Sequence, residues 1–248
     1  MDRSSKRAGV RIGIASLTLL VAVATFQRGA PAATAGPAAP ARTEVENFVG
    51  FVYAQLLIRE PDPAGLAYWT DHVERHGPAP FVHAVVTSQE WRRIWVSEYY
   101  GRWLQRRLDD GGRTYWTNFL AGHGFAAFES LIGGSDEAYR LSGGTDAAYV
   151  EDVYRKAAYR EPDGNELGDG LSRLATGSRS DLVSFLLLHG DGLVYRVTLS
   201  YRMTVGREPD PAGEQYWIAY YHNTGDWAGM LAAMLSSPEA WETAQRDA

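Results

Sequence analysis

A seven-residue string, Arg-Glu-Pro-Asp-Pro-Ala-Gly, occupies residues 59–65 and recurs unchanged at 207–213. A chain that repeats itself must solve one packing problem several times over, so this repeat limits the accessible folds more than any other feature. A third copy begins Arg-Glu-Pro-Asp at 160–163, and a looser one, Arg-Arg-Leu-Asp-Asp-Gly-Gly, runs over 106–112. Aligned on Arg59, Arg106, Arg160 and Arg207, the copies stand 47, 54 and 47 residues apart. Six residues before each arginine is a tyrosine, Tyr53, Tyr100, Tyr154 and Tyr201, and three residues after it an aspartate, Asp62, Asp109, Asp163 and Asp210. A Tyr-Trp pair follows in three copies, Tyr68-Trp69, Tyr115-Trp116 and Tyr216-Trp217, where the third copy has Asp169-Gly170.

Each copy reads as three helices. Thr43 with Glu46 has the spacing of a capping box, and Val45, Phe48, Val49, Val52, Tyr53 and Leu56 recur at helical spacing, which predicts an amphipathic helix ending near Ile58. Pro61 stops it, and Asp62-Pro63 supplies an N-cap and a first-turn proline for a second helix that Gly77 ends. Phe81, Val82, Val85 and Val86 mark a shorter third helix. Ser88-Gln89-Glu90-Trp91 opens the next one, and Ser237-Pro238-Glu239-Ala240-Trp241 repeats that signal near the end. No stretch alternates strictly with β-branched residues. The expectation is an all-α chain of four tandem three-helix units of about 47–54 residues, arranged as two pairs. The units fall at 43–92, 93–140, 147–195 and 196–248, with a Ser/Gly linker over 141–146 between the pairs 43–140 and 147–248.

Residues 1–35 read as an export signal: a basic start through Arg11, a mildly apolar run over 12–26, and Ala-x-Ala sites that place cleavage after Ala32 or Ala35. An uncleaved signal anchor is the alternative, and the general secretory route is the default, since Lys6-Arg7 is a weak match to a twin-arginine signal. A Pro/Ala/Gly spacer follows over 36–42. The net charge of -6 divides into +4 over 1–35 and -10 over 36–248, a sign that repels phosphate backbones and argues against nucleic acid as a partner. No later stretch is apolar for long enough to span a bilayer. With zero Cys, an exported chain must be stabilised by packing, and neither thiol catalysis nor a cysteine zinc site is open to it.

The signature R-E-P-D-x-x-G-x-x-Y-W, with a tyrosine-bearing helix before it and S-x-E-W after it, resembles the domain-of-unknown-function family 4214. The resemblance covers residues 43–241, is strongest at 59–69 and 207–217, and is only half present at 160–163. It implies tandem helical units in an exported bacterial protein. That family is in turn similar to the helical domain of phycobilisome linkers, which hold other proteins together, although an export signal points away from an antenna role.

The chemistry-bearing residues fit a structural role first. Each aspartate is placed to cap a second helix, and each arginine to meet the first helix's terminal carbonyls and dipole, with the aspartate as a further partner. Trp69, Trp116 and Trp217 share the buried face with residues such as Leu66 and Val73, whereas the adjacent Tyr68, Tyr115 and Tyr216 point about 100° away. Those tyrosines, with Tyr99 and Trp95 from the densest aromatic stretch, form the candidate binding surface. His72 and His76 have ligand spacing, but Glu74 stands two residues after His72, not next to it as a zincin helix requires. No nucleophile elbow, phosphate loop or calcium loop is present, so no catalytic, metal or cofactor residue is assigned. The expectation is an exported, non-enzymatic binding or scaffolding module at the outer cell envelope, with a protein or envelope glycan as partner and self-association left open. An extracellular hydrolase acting on cell-wall or glycan material is the alternative.

Overall fold

Prolines, aspartates and glycines at fixed places punctuate the chain into helices, and the computed structural model describes these over residues 40–248. The export signal and most of the spacer lie outside the described residues. Among the described residues there are thirteen α-helices and no strand. They are α1 (Arg42–Leu57), α2 (Pro63–His76), α3 (Pro78–Val86), α4 (Gln89–Leu104), α5 (Asp110–Gly133), α6 (Asp136–Leu141) and α7 (Asp146–Ala157), followed by α8 (Gly164–Thr176), α9 (Arg179–His189), α10 (Asp191–Val205), α11 (Pro211–Thr224), α12 (Trp227–Leu235) and α13 (Pro238–Arg246). No single one is long and apolar enough to cross a membrane.

The helix ends follow local chemistry. Asp62, Asp109, Asp163 and Asp210 each accept a backbone N–H of the following first turn, at 2.9, 2.6, 2.9 and 3.0 Å from Gly65, Gly112, Glu166 and Gly213. Gly77 separates α2 from α3 at φ 76 and ψ 175, and Gly124 kinks α5 with φ 77 and ψ 170, a conformation only glycine takes without strain. The first helix starts earlier than the Thr43–Glu46 spacing suggested: Ala41 is its N-cap, and the Ala41 N–H donates to Glu44 at 3.1 Å. Arg42, placed in the spacer by the sequence, is helical. The Ser/Gly stretch after 140 is shorter than expected as well, because α6 runs to Leu141 and Thr145 already caps α7.

Packing repeats along with the sequence. Val49, Val96, Val150 and Val197 stand ten residues before the four arginines, and all are fully buried. Each contributes about 1.5–3 kcal/mol by leaving water. Helix α1 packs on α2, α3 and α4 as α7 packs on α8, α9 and α10. Likewise α4 packs on α5 and α6, as α10 does on α11, α12 and α13. Between residues 43–140 and 147–248, α3 packs on α12 and α5 on α9, two contacts that the same correspondence exchanges, and α1 also packs on α13. The described residues form one compact unit.

The third copy departs from the tryptophan pattern for a steric reason. Gly170 replaces the tryptophan, and a Cβ there would come within 2.6 Å of Val150 Cγ1, so α8 lies closer to α7 than an indole allows. The residue before each arginine is left-handed, Ile58 at φ 55, Gln105 at φ 53, Tyr159 at φ 57 and Gly206 at φ 69. Only Gly206 takes that conformation without strain. Ile58 is β-branched and exposed, so it pays for this geometry without packing in return. Replacing Ile58 by Gly is expected to stabilise the protein by about 0.5–1 kcal/mol, after the greater freedom of the unfolded chain is set against the relieved strain. Urea unfolding checks this; a lower midpoint would contradict it.

Candidate functional site

Each of the four arginines ties three pieces of chain together. Its guanidinium lies over the tyrosine one turn and a half earlier, at 5.0 Å for Arg59 on Tyr53, 5.0 Å for Arg106 on Tyr100, 5.5 Å for Arg160 on Tyr154 and 5.2 Å for Arg207 on Tyr201. It then reaches a carboxylate in the first turn of a later helix. Arg59 Nε and Nη2 donate to Glu90 at 2.6 and 3.0 Å, Arg106 to Glu137 at 2.5 and 3.0 Å, and Arg207 to Glu239 at 2.5 and 3.0 Å. Arg160 takes Asp191 and Glu166 instead. Arg59, Arg160 and Arg207 also donate to the carbonyls of Glu60, Glu161 and Glu208. The expected aspartate partner is minor: only Arg207 pairs with its own Asp210, at 3.7 Å.

The carboxylates of these clusters were the part that sequence reasoning missed. Glu90, Glu137, Asp191 and Glu239 stand 31 or 32 residues beyond the arginine and Glu166 only six, and the recurring Ser-x-Glu at 88–90, 135–137 and 237–239 carried the signal for three of the glutamates. The hydrogen bonds from Arg59, Arg106 and Arg207 hold Glu90, Glu137 and Glu239 below the ordinary carboxyl pKa. Two bonds from Arg160 bring Glu166 down to about 2. Asp62 and Asp210 are lowered by the N–H groups of Gly65 and Gly213 that they cap.

The tyrosine-tryptophan pairs divide as helical phase predicts. Tyr68, Tyr115 and Tyr216 are 61, 61 and 63% exposed, each edge-on to the half-buried Trp69, Trp116 or Trp217 with ring centroids 4.9, 5.0 and 4.9 Å apart. A second ring, His72, Phe119 or Tyr220, flanks each pair on the next turn. Tyr99 corrects the expectation of a surface residue: it is 2% exposed, because its ring packs on Phe125 and Trp227 in the interior. Trp95 is half-buried and edge-on to Trp227 at 5.2 Å.

In the interior of the described residues, Arg196 of α10 pairs with Glu129 of α5, both buried. Arg196 Nη1 also donates to the Tyr99 hydroxyl at 3.3 Å, and its guanidinium lies 4.9 Å from the Trp227 ring centroid. Burial works against this charge, but the Glu129 carboxylate carries the guanidinium pKa well above its usual value. Nearby, Lys156 Nζ donates to the Trp103 carbonyl at 3.0 Å and to Asp152 at 2.6 Å. A cleft of about 730 Å³ opens beside Gly124 and Gly225, with Arg92, His123 and Asp226 on its walls. His72 and His76 have ring centroids 4.6 Å apart, and among the described residues no group of three metal-ligating side chains comes together.

The family model described as "Domain of unknown function (DUF4214)" matches residues 39–94, a span that holds the whole Tyr53–Arg59–Glu90 cluster. Over that span the chain resembles the family. No curated protein and no solved structure matches the chain.

Because Glu90, Glu137 and Glu239 have lowered pKa values when folded, their ion pairs stabilise the protein fully above the unfolded glutamate value of 4.5 and are lost as pH falls through the folded values. These pairs are exposed and screened by solvent, so each contributes little. The Glu90→Gln variant is therefore expected to be slightly less stable than wild type at pH 7, with the gap shrinking as pH falls below 4.5, in urea unfolding. A gap that widened on acidification would contradict the assignment.

Proposed function

We propose that the chain is four copies of a three-helix unit, grouped as two pairs, and that the exported protein acts as a non-enzymatic binding module at the outer cell envelope. Under this reading the units are α1–α3, α4–α5, α7–α9 and α10–α12, with α6 and α13 as equivalent closing helices. The common register of the four arginine clusters and of the four buried valines supports it.

The observation that carries the binding role is the exposed tyrosine at one register in three units, held edge-on by a tryptophan. A rigid ring with a hydroxyl gives a ligand contact area at low entropic cost, and three copies on one chain add by avidity. The acidic body disfavours anionic surfaces, which leaves neutral glycan as the first material to test.

The test is co-sedimentation of the chain lacking residues 1–35 with insoluble cell-wall material from its source, with soluble sugars and peptides assayed alongside. The expected outcome is retention without release, falling stepwise as Tyr68, Tyr115 and Tyr216 are changed to Ala while the unfolding midpoint stays constant. Retention unaffected by all three changes would contradict the tyrosine surface. Released fragments would favour a hydrolase, and no retention would direct the search to a protein partner.

A further inference from the structure

The buried Arg196–Glu129 pair is out of place in the pattern around it. Counted back eleven residues from each signature arginine, the positions are Phe48, Trp95, Tyr149 and Arg196: three aromatic rings and one guanidinium. Counted back six from the start of the closing or following helix, Ser88, Ser135, Gly190 and Ser237, they are Val82, Glu129, Ser184 and Leu231. The correspondence that maps α4 onto α10 and α5 onto α12 therefore maps the Arg196–Glu129 contact onto Trp95 and Leu231. There the same junction is apolar: Trp95 packs edge-on against Trp227 of α12, and Leu231 is fully buried. One of two equivalent junctions is oily and the other charged.

We propose that this buried ion pair selects the partner of each half, so that residues 43–140 dock on residues 147–248 and like halves do not dock on each other. The inference rests on the duplicated-pair reading above and is independent of the tyrosine surface. Two copies of such similar halves share the surfaces α3·α12 and α5·α9, and shape alone distinguishes like from unlike pairing poorly. Charge does it. If 43–140 of one chain met 43–140 of a second, each Glu129 would be buried against a Trp95 with no cation. If 147–248 met its own kind, each Arg196 would be buried against a Leu231 with no anion. Each unpaired buried charge weakens such an assembly on the order of a hundredfold to a thousandfold. In the unlike arrangement both charges are answered at one junction, with the Tyr99 hydroxyl and the Trp227 face completing the guanidinium's surroundings.

The test compares the full chain with Glu129→Leu, Arg196→Met, the double variant carrying both, and the charge-reversed double Glu129→Arg/Arg196→Glu. The readouts are the urea-unfolding equilibrium and the mass by light scattering after refolding at increasing protein concentration. Each single variant should lose on the order of a hundredfold or more in its folding equilibrium constant, because one charge is left buried and alone. The apolar double should regain most of that loss yet form larger species as concentration rises, where wild type at the same concentrations does not. The charge-reversed double should follow the wild-type mass profile. An apolar double with the wild-type mass profile at every concentration would overturn the proposal. So would an apolar double no more stable than the single variants, since the pair would then serve stability and not choice of partner. Retention on wall material, measured on the same samples, reports the binding reading separately.

Discussion

The Arg196–Glu129 ion pair sets the terms for the rest of the molecule. Two charges removed from water are tolerable only where geometry is fixed and the remaining donors and acceptors are met. Here Glu129 also receives the Trp103 indole N–H at 3.4 Å, and Arg196 is enclosed by Tyr99, Tyr221 and Trp227. Those side chains come from α4, α5, α10, α11 and α12, so the position of the pair depends on helices from both residues 43–140 and residues 147–248. The enclosure is incomplete: Arg196 Nε and the Tyr221 hydroxyl have no protein partner. On the proposal above, such a site specifies an arrangement more than it stabilises one, and its asymmetry between the two proposed equivalent junctions is what carries that specificity.

The four arginine clusters work at the surface and in the opposite manner. Each pair is solvent-exposed and individually weak, yet each joins the end of one helix to the start of another about thirty residues later. Tyrosine below and carboxylate above leave the guanidinium one place to sit, and its fork suits the bidentate carboxylate in a way lysine would not. With no cysteine anywhere in the chain, closure of each helical turn-back falls to these clusters, the aspartate caps and the buried valines.

Much of this was legible in the sequence because it depends on short-range chemistry. The aspartate caps, the proline and glycine boundaries and the tryptophan phase each involve residues within a few positions, and helix geometry converts spacing directly into direction. What the sequence hid depends on long range. Glu90, Glu137 and Glu239 lie across one or two intervening helices from their arginines, and Ser88-Gln89-Glu90 read only as a helix start until the fold brought Glu90 to Arg59. Tyr99 looked like surface within an aromatic-rich stretch, because nothing local shows that α5 and α12 cover it. Arg196 gave no signal alone; it stands out only against Phe48, Trp95 and Tyr149 at the same register. The cap at Ala41 was missed because an alanine caps through backbone geometry, without the side-chain oxygen that marks a sequence.

An acidic helical body with exposed tyrosines at one register in three places suits the repeated weak contacts proposed above, and on that reading the halves must keep a fixed relation. The account's central claim is that residues 43–140 and 147–248 form one cooperative unit through the junction around Arg196 and Glu129. Native-state hydrogen exchange tests it most directly. The slowest amides of α5 and α10 are predicted to exchange with one common free energy, equal to that of global unfolding. Two distinct free energies, one for each half, would contradict the claim.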